Sequence, residues 1–368
     1  MSKVSNLPQI KKIIHTESSE GWGGQEIRIL EETNLFKKSG QYDCSVIVSE
    51  LAEINKRNPY ANLEITPAPI GKKTFKGVGF LVKTLNVSRP DIVITHSSTD
   101  SWLVALARFF AIKKYKIIRT RHVSAMIQPS IATKWLYRQA DHIVTTSSAI
   151  KEHIEENLGI SPLNVTSVPT GVDCDKFSPG LNDLNLRNNL NIDADQKILL
   201  MVSTLRSWKG HSIAIEAVQK IDNVSLIIVG DGPQESNLKK QVSDLNLLER
   251  VHFLGYRTDI VDLMRSADIF LQPSWANEGI SQSLLQACAT GLPVIAANIS
   301  GLNELIRDGI NGLLVNPNDP TDLREKIENL IDSETLSKQI GLQARQTVME
   351  QHSMNFMANR MMEICNKI

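Results

Sequence analysis

Arg206 and Lys209 lie just before Gly210, where a predicted strand is followed by a predicted helix. A guanidinium can hold two phosphate oxygens in a fork, and an ammonium adds a compact positive charge. The amino end of the helix adds a partial positive charge, and glycine leaves the backbone accessible. These residues suit a diphosphate. The alternative is a pair of solvated cations, which the helix dipole disfavours at this position.

A second polar segment begins at Glu278 and runs into an apolar helix. The Glu278 carboxylate could accept hydrogen bonds from vicinal hydroxyls, and the backbone N–H groups of Gly279 to Ser281 would face the same crevice. A glutamate favoured by the helix dipole explains this position equally well. The glycines of residues 230–233 form a third segment, for which a structural turn is the better explanation.

Alternating strands and helices must position these segments. We predict strands at 10–15, 44–48, 91–95, 116–120, 142–146, 198–203, 226–230, 251–254, 269–272, 293–296 and 312–315. We predict helices at 24–39, 100–110, 149–157, 210–221, 234–246 and 355–366. This pattern predicts two Rossmann-type α/β domains, which bind ligands beyond the carboxyl ends of their strands. Residues 169–196, rich in Pro, Gly, Asn and Asp, are predicted to link them.

Composition narrows the classes of protein. The 368 residues carry a formal net charge of zero, so nothing indicates a nucleic-acid partner. The first half is nevertheless basic and the second acidic. Four separated cysteines indicate neither a zinc site nor a disulfide framework, and they suit a reducing compartment. No signal peptide or membrane-spanning stretch is evident, which predicts a cytoplasmic protein.

A series of different short motifs lies along the second half of the chain. They are Arg206 with Lys209 and Gly210, Gly230 to Pro233, Phe253 to Gly255, Ser266 to Asp268, Glu278 with Gly279, Gly291 to Val294, Gly301 to Glu304, and Asn311 to Leu314. In this order and spacing they resemble the nucleotide-binding domain of the retaining glycosyltransferases of family 4. The first half resembles the family at Gly21 to Gly24 with Glu26, and at Arg119 to His122. Pro169 to Asp173, with Phe177 and Pro179, resembles the family's hinge.

The resemblance implies the GT-B fold, with two Rossmann-like α/β domains facing each other across a cleft. Residues 1–175 would bind the acceptor, and residues 176–350 the nucleotide sugar. Residues 351–368 would form a helix that returns to the first domain. The implied partners are a nucleotide-sugar donor and a glycan or lipid-linked saccharide acceptor, in the synthesis of cell-surface polysaccharide or lipopolysaccharide.

The resemblance also implies site residues. His122, Arg206, Lys209 and Glu278 would be catalytic, with His122 orienting the sugar and the cations stabilising the departing diphosphate. The donor would contact Gly23, Gly24, Gly230, Tyr256, Arg257, Gly279, Ile280, Ser281, Leu284 and Gln286. Family members have a second glutamate where this chain has Gln286. Glutamine can accept one hydroxyl bond and donate another, without the strength that charge adds.

No cofactor is implied, and the enzyme would work without a metal. Asp173 and Asp175 form the D-x-D pattern that holds a metal in other glycosyltransferases, but they lie in the inferred hinge. His122 also has a plain alternative role as a packed loop histidine. Transfer would retain the anomeric configuration by a front-face path, in which the leaving phosphate accepts the acceptor's proton.

Acceptor candidates follow the strand 91–95, namely His96, Ser97 and Asp100. Ser and Asp also cap helices well, so capping is the expected role of at least one of them. Basic residues of the first half would favour peripheral contact with an anionic membrane at its inner face. They are Lys72, Lys73, Lys76, Lys113, Lys114 and Lys116.

Other functions remain open at this point. The same fold serves nucleotide-sugar epimerases, which need no acceptor, and phosphorylases, which need inorganic phosphate. A non-catalytic sugar-nucleotide-binding or glycan-binding subunit is the alternative from a different class. The presence of Arg206, Lys209 and Glu278 argues against this last function.

Overall fold

The computed structural model describes residues 10–122, 127–181, 184–276 and 279–368. The chain divides into two compact units. The first comprises Met1–Thr170 together with Met354–Ile368, and the second comprises Gly171–Ser353.

The first unit is built on a parallel sheet. Its strands are β1 (Lys11–Glu17), β2 (Tyr42–Ser49), β3 (Glu64–Ala68), β4 (Ile92–Thr95), β5 (Lys116–Arg121), β6 (His142–Thr145) and β7 (Val165–Ser167). They lie in the order β3-β2-β1-β4-β5-β6-β7. The helices between them are α1 (Gly24–Lys38), α2 (Ile54–Arg57), α3 (Phe75–Ser88), α4 (Ser98–Arg108), α5 (Ile131–Arg138) and α6 (Ser148–Leu158). Strands β4 and β6 are buried along their whole length, as strands covered on both faces must be.

The second unit repeats this plan. Its strands are β8 (Lys197–Val202), β9 (Val224–Val229), β10 (Val251–Phe253), β11 (Ile269–Gln272), β12 (Val294–Ala297) and β13 (Leu313–Val315). They lie in the order β10-β9-β8-β11-β12-β13 and are parallel. Its helices are α7 (Leu186–Asn189), α8 (His211–Gln219), α9 (Glu235–Asp244), α10 (Ile260–Ser266), α11 (Gln282–Ala289), α12 (Pro320–Asp332) and α13 (Glu334–Gln351). The two sheets with their helices confirm the predicted pair of Rossmann-like domains.

The last helix, α14 (Met354–Lys367), belongs to the first unit and packs on α1. The Tyr42 hydroxyl donates to Asn366 Oδ1 at 2.8 Å, and Lys11 Nζ donates to the Cys365 carbonyl at 2.7 Å. Met357 and Met361 are buried in the same apolar cluster as Ile13 of β1. The chain therefore completes the first unit's core with its final residues.

The stretch 169–196 differs from its prediction as a linker. The division between the units falls at its beginning, after Thr170. Beyond that point Phe177, Leu186 and Ile192 are buried in the core of the second unit. Irregular backbone carries these buried apolar residues, and hydrophobic periodicity does not reveal a core contribution of that kind.

Candidate functional site

Strands β8 and β11 are neighbours at the middle of the sheet. From β8 the chain adds β9 on one side, and from β11 it adds β12 on the other side. Such a switch point opens a crevice beyond the carboxyl ends of the two strands, where ligands bind in open α/β sheets. The loop after β8 carries Arg206 and Lys209. The loop after β11 leads toward the start of α11.

Two tryptophans that sequence reasoning missed hold these loops together. The backbone N–H of Trp275 donates to the Trp208 carbonyl at 2.9 Å, and its indole Nε1–H donates to the Ser207 carbonyl at 3.1 Å. The Arg206 guanidinium lies 5.3 Å from the centre of the Trp208 ring. The positions of the cations are therefore coupled to the loop after β11.

Gly210 packs tightly against Pro273 of the loop after β11. Its φ is +77°, and a Cβ atom there would lie 2.1 Å from the Pro273 carbonyl oxygen. Only glycine fits, because a side chain would collide with backbone and strain the left-handed conformation. Gly210 is the residue immediately before α8, so the close packing fixes the amino end of that helix.

Arg206 immediately precedes a short 3-10 turn, which ends at Lys209 and leads through Gly210 into α8. Arg206 is exposed and Lys209 is half-buried. The structure therefore brings together two cations and a helix amino terminus, a combination suited to a phosphate or diphosphate.

Gly230 supports this loop from the side of β9. Its φ is +131°, and a Cβ there would lie 2.1 Å from the Ser203 carbonyl oxygen. The Leu205 N–H donates to the Asp231 carbonyl at 2.8 Å, which joins the loops after β8 and β9. The predicted turn at 230–233 is thus a structural brace for the segment that carries Arg206.

Behind the loop, His211 is buried and its Nε2 lies 3.1 Å from Ser203 Oγ. Burial, together with the nearby charge of Lys209, lowers the pKa of His211 to about 4. The ring is therefore neutral at pH 7. It anchors the loop and adds no charge to it.

The start of α11 carries a polar network around Gln272, which is buried at the end of β11. Gln272 Oε1 accepts from Ser281 Oγ at 3.3 Å and from Ser283 Oγ at 3.4 Å, and its Nε2 donates to Ser274 Oγ at 2.8 Å. Ser281 also caps α11 by accepting from the Leu284 N–H. Ser281, a predicted donor-binding residue, therefore has a structural role as a helix cap.

The remaining predicted donor residues fare differently. The Leu284 side chain is fully buried in the apolar core, and its predicted contact with the donor stays a prediction. Gln286 is half-buried one turn beyond Gln282, and Gly279 and Ile280 are half-buried just before Ser281. Glu278 lies outside the described residues.

Tyr256 and Arg257 follow β10 and lie further along the sheet. Two strands, β9 and β8, separate β10 from β11. Tyr256 is 67% exposed, whereas Arg257 is paired with Asp259, with its Nε 2.8 Å from Asp259 Oδ1. Arg257 is therefore already partnered by a carboxylate.

The first unit has its own switch point, between β1 and β4. Glu17, at the end of β1, accepts from Ser97 Oγ at 2.5 Å, from the Ser19 N–H at 2.6 Å and from the Gln25 amide. Burial raises the pKa of Glu17. Neither Glu17 nor Gln25 was a sequence candidate.

Ser97 and Asp100, both acceptor candidates, form a capping box at the start of α4. Asp100 is fully buried and accepts from Thr16 Oγ1 at 2.8 Å and from the N–H groups of His96 and Ser97 at 2.9 and 2.8 Å. Burial beside Glu17 raises the pKa of Asp100 to about 8. Because its oxygens are already occupied, Asp100 holds the loop, and capping is the role that the structure shows.

Three histidines form a row beside this loop. His15 Nδ1 lies 3.0 Å from His96 Nε2, and His96 Nδ1 lies 2.9 Å from His122 Nε2. The rings stack, with centroids 5.3 and 5.2 Å apart. His96 therefore lies between two other rings, and its predicted contact with an acceptor stays a prediction. His122 is the outermost member of the row.

Gly23 and Gly24 stand at the start of α1, where Gly23 is the capping residue and Gly24 the first helical one. A Cβ at Gly24 would meet no heavy atom within 4 Å. The fold itself therefore does not require glycine at this position. The predicted close approach of a diphosphate to these glycines stays a prediction.

The D-x-D pattern has a structural explanation. Asp173 Oδ1 accepts the backbone N–H groups of Asp175 at 3.0 Å and Lys176 at 2.9 Å, closing a turn. Across the described ranges, no group of three or more His, Cys, Asp and Glu side chains is arranged to hold a metal ion. Nor does any described helix have the length and apolar character needed to cross a membrane.

Comparison with known proteins gives matches over both units. The model described as Glycosyltransferase Family 4 matches residues 22–176, and the model described as Glycosyl transferases group 1 matches residues 182–347. The chain is 30% identical over 283 residues to the UDP-Gal:alpha-D-GlcNAc-diphosphoundecaprenol alpha-1,3-galactosyltransferase of Escherichia coli, covering 72% of each chain.

Solved structures share the fold. A glycosyltransferase from Rickettsia africae ESF-5 has a TM-score of 0.84 at 24% identity, covering 97% of this chain and 98% of that one. Anabaena HepE in complex with UDP has a TM-score of 0.84 at 21% identity, covering 97% and 100%. Together these matches show that the chain belongs to the GT-B glycosyl transferases of group 1, family 4, and is a glycosyltransferase with a nucleotide-sugar donor.

Proposed function

We propose that this glycosyltransferase transfers its sugar with retention of anomeric configuration to a glycan or lipid-linked saccharide, in cell-surface polysaccharide or lipopolysaccharide synthesis. The observation that carries the donor site is the loop after β8. There Gly210 packs against the Pro273 carbonyl, and Arg206 and Lys209 stand at the amino end of α8. Such a loop suits the diphosphate of a nucleotide sugar.

The proposed step is a substitution at the anomeric carbon. The bond from that carbon to the donor's phosphate oxygen breaks, and the acceptor oxygen bonds to the carbon on the same face. The acceptor's proton passes to the leaving phosphate oxygen. Arg206 and Lys209 stabilise the negative charge that develops on the diphosphate, which is the chemical work expected of fixed cations. No metal ion takes part in this proposal.

Uridine nucleotides are the first donors to examine. The Escherichia coli relative is named for UDP-Gal and for a diphosphoundecaprenol-linked acceptor, and Anabaena HepE was crystallised with UDP. From these two relatives we propose that this chain uses a UDP-sugar donor and a lipid-linked acceptor. Gln286, in place of the family's glutamate, would hold ribose hydroxyls through its amide.

A lipid-linked acceptor calls for contact with a membrane, and the first unit has a surface that suits it. Three stacked rings, Trp102, Phe109 and Trp135, lie on it, and two exposed apolar side chains stand near them in sequence, Phe75 two residues after Lys73 and Ile131 one turn before Trp135. We call these five residues the aromatic patch. The Trp102 and Trp135 rings stack at 5.2 Å, and Phe109 stacks on Trp135 at 6.4 Å. Phe75 is 96% exposed and Ile131 is 91% exposed.

Lysines lie beside the aromatic patch. Lys73 Nζ is 5.4 Å from the centre of the Trp102 ring, and Lys72 and Lys76 are exposed next to it. Lys113 and Lys116 are less available than their sequence indicated, because they pair with Asp91 and Asp141 at 2.7 and 3.2 Å. Exposed apolar rings flanked by lysines favour an anionic membrane surface. We therefore propose peripheral contact at the cytoplasmic face.

The test is a transfer assay with UDP, GDP, ADP and CMP sugars and a lipid-linked saccharide, followed by NMR of the product's anomeric proton. We expect transfer with retention from one donor class, and loss of transfer in Lys209→Ala and in Glu278→Ala. Unchanged turnover in both variants would contradict the proposed donor site. A product with inverted anomeric configuration would exclude the proposed transfer with retention.

The same assay separates the alternatives. Conversion of the nucleotide sugar with no acceptor present would identify an epimerase, and a requirement for inorganic phosphate would identify a phosphorylase. Binding of a nucleotide sugar without any turnover would identify a binding subunit. Turnover that survives a chelator such as EDTA is expected, and its loss with recovery on adding Mg²⁺ would contradict the metal-free step.

A further inference from the structure

The histidine row, His15, His96 and His122, has a property that none of its members has alone. Burial lowers the pKa of His15 to about 3, and that of His96 and His122 well below the ordinary range. Each ring is therefore neutral at pH 7 and carries one N–H and one lone pair. Each of the two contacts, at 3.0 and 2.9 Å, needs one donor and one acceptor.

These requirements couple the three tautomers. If His15 donates from Nδ1, His96 must accept at Nε2 and donate from Nδ1, and His122 must accept at Nε2. The only other fully bonded arrangement reverses every proton, so that His122 donates from Nε2. The row therefore has two states, and they differ in what His122 presents at Nδ1.

The inner end of the row selects between the states. His15 Nε2 is buried and has no hydrogen-bond partner among the described residues. In the first state, in which His15 donates from Nδ1, this nitrogen carries only a lone pair. In the reversed state it carries an N–H that has no acceptor. Buried unpaired N–H groups are the rarer defect in proteins. The buried cation Arg28 lowers the pKa of all three rings and so favours their neutral form.

We propose that His15 and His96 are positioning residues that fix His122 as a neutral Nδ1–H donor. The inference rests on the proposed transfer reaction and on the role that the family resemblance implies for His122, which is to orient the transferred sugar. His122 is the partly exposed member of the row, and its Nδ1 is the nitrogen that the row leaves over. It would donate to a hydroxyl or phosphate oxygen of the substrate. It would not take the acceptor's proton, which accords with the leaving phosphate as the proton acceptor.

The direct test is NMR of the full chain labelled with ¹⁵N-histidine, in which long-range proton–nitrogen correlations report the protonated nitrogen of each ring. His→Phe variants assign the eight histidines. We expect His15, His96 and His122 all to carry their proton on Nδ1 at pH 7. A His122 protonated at Nε2, or at both nitrogens, would overturn the proposal.

Kinetics supply the second test. His96→Phe keeps a stacked ring but removes the donor to His122 Nε2, so we expect kcat to fall by about 10- to 100-fold with little change in the donor's KM. His96→Asn restores an N–H near the place of the ring Nδ1, and should recover most of that loss. His252→Phe, which removes a histidine of the second unit, is the control.

The outcomes are separable from those of the proposed function. Equal losses in folded His96→Asn and His96→Phe would contradict the donor role of His96, and so would an unchanged kcat in His96→Phe. If the chain transferred no sugar at all, the proposed function would fail, while the NMR experiment would still decide the state of the row.

Discussion

The two switch points of this molecule obey the same topological rule but are filled in opposite ways. In the first unit the space beyond β1 and β4 is occupied by the protein's own groups, because Glu17 and Asp100 accept hydrogen bonds from the surrounding loops. In the second unit the loops beyond β8 and β11 pack through Gly210 and leave Arg206 exposed. Topology therefore locates a crevice, and side-chain chemistry decides what fills it.

The glycines sharpen this contrast. Gly24 and Gly210 each stand at the start of the helix after the first strand of their unit. A Cβ at Gly210 would lie 2.1 Å from a carbonyl oxygen, whereas a Cβ at Gly24 would meet nothing within 4 Å. The packing of the fold requires glycine at position 210. It does not require glycine at position 24, where a ligand could be the reason for it.

The largest expected effect is that of Gly210→Ala, because it should reduce activity and stability together, and Gly24→Ala is its matched comparison. Gly210→Ala should displace the loop after β8 and lower transfer by about 100-fold or more, with a lowered melting temperature, because small misplacements of a binding loop are costly. Gly24→Ala should leave the melting temperature unchanged or raised, since its Cβ has room. Transfer rates and melting curves of both variants measure this.

A result in the reverse order would break the contrast. If Gly24→Ala destabilised the protein as much as Gly210→Ala, the loop after β1 would be as tightly packed as the loop after β8. A fall in transfer by Gly24→Ala without loss of stability would instead support close approach of the donor's diphosphate to this glycine.

The cations should show the next largest effect. Arg206→Ala and Lys209→Ala should each lower kcat by about 100- to 1,000-fold, the range seen when one fixed stabilising group is removed from an active site. Lys220→Ala is a matched control, since this exposed lysine lies at the opposite end of α8. If the Lys220 variant lost as much activity as the Lys209 variant, charge on α8 would matter but its position would not.

Acid stability tests the buried, neutral state of His15 in the first unit. His15 is neutral when folded because its pKa is lowered to about 3, whereas the unfolded chain binds a proton below about pH 6.5. Stability is therefore lost as pH falls through 6.5 toward 3, by about 1.4 kcal/mol per pH unit for this one group. His15→Phe should reduce that slope.

Hydrogen exchange of the β1 and β4 amides at pH 7, 6 and 5 measures the effect, with the β8 amides as an internal control. Equal pH slopes at β1 in wild type and His15→Phe would contradict a buried neutral His15. A changed slope at β8 would show that the substitution acts on both units.

Sequence predicted the sheet strands of the second unit well, because their apolar runs are bounded by glycines and polar residues. It missed β3 and α3 in the first unit. Pro67 disfavours a strand, and the edge position of β3 is what tolerates it. Gly77 disfavours a helix, yet α3 needs it, because a Cβ there would lie 2.8 Å from the Pro69 carbonyl oxygen.

The candidate site was partly predictable for a related reason. Arg206, Lys209 and Gly210 are close in sequence, so local spacing was enough to single them out. The contact of Trp275 with Trp208, and that of His15 with His96, join residues far apart in the chain. Only the strand order brings them together, and one sequence does not reveal strand order.

The smallest effect is expected at the aromatic patch. Phe75→Ser and Ile131→Ser should each weaken binding to vesicles that contain anionic lipid by a few-fold, and added salt should weaken wild-type binding. Leu248→Ser, which removes an exposed apolar side chain of the second unit, is the control. Vesicle binding that does not weaken with salt would argue against a lysine contribution.

The loop after β8 is proposed to hold the donor's diphosphate, and calorimetric titration of UDP measures this. UDP is titrated into the wild-type chain and into the Arg206→Ala, Lys209→Ala double variant. We expect UDP to bind the wild type and to bind the double variant at least about tenfold more weakly, which is at least about 1.4 kcal/mol. Equal dissociation constants for the two proteins would contradict it.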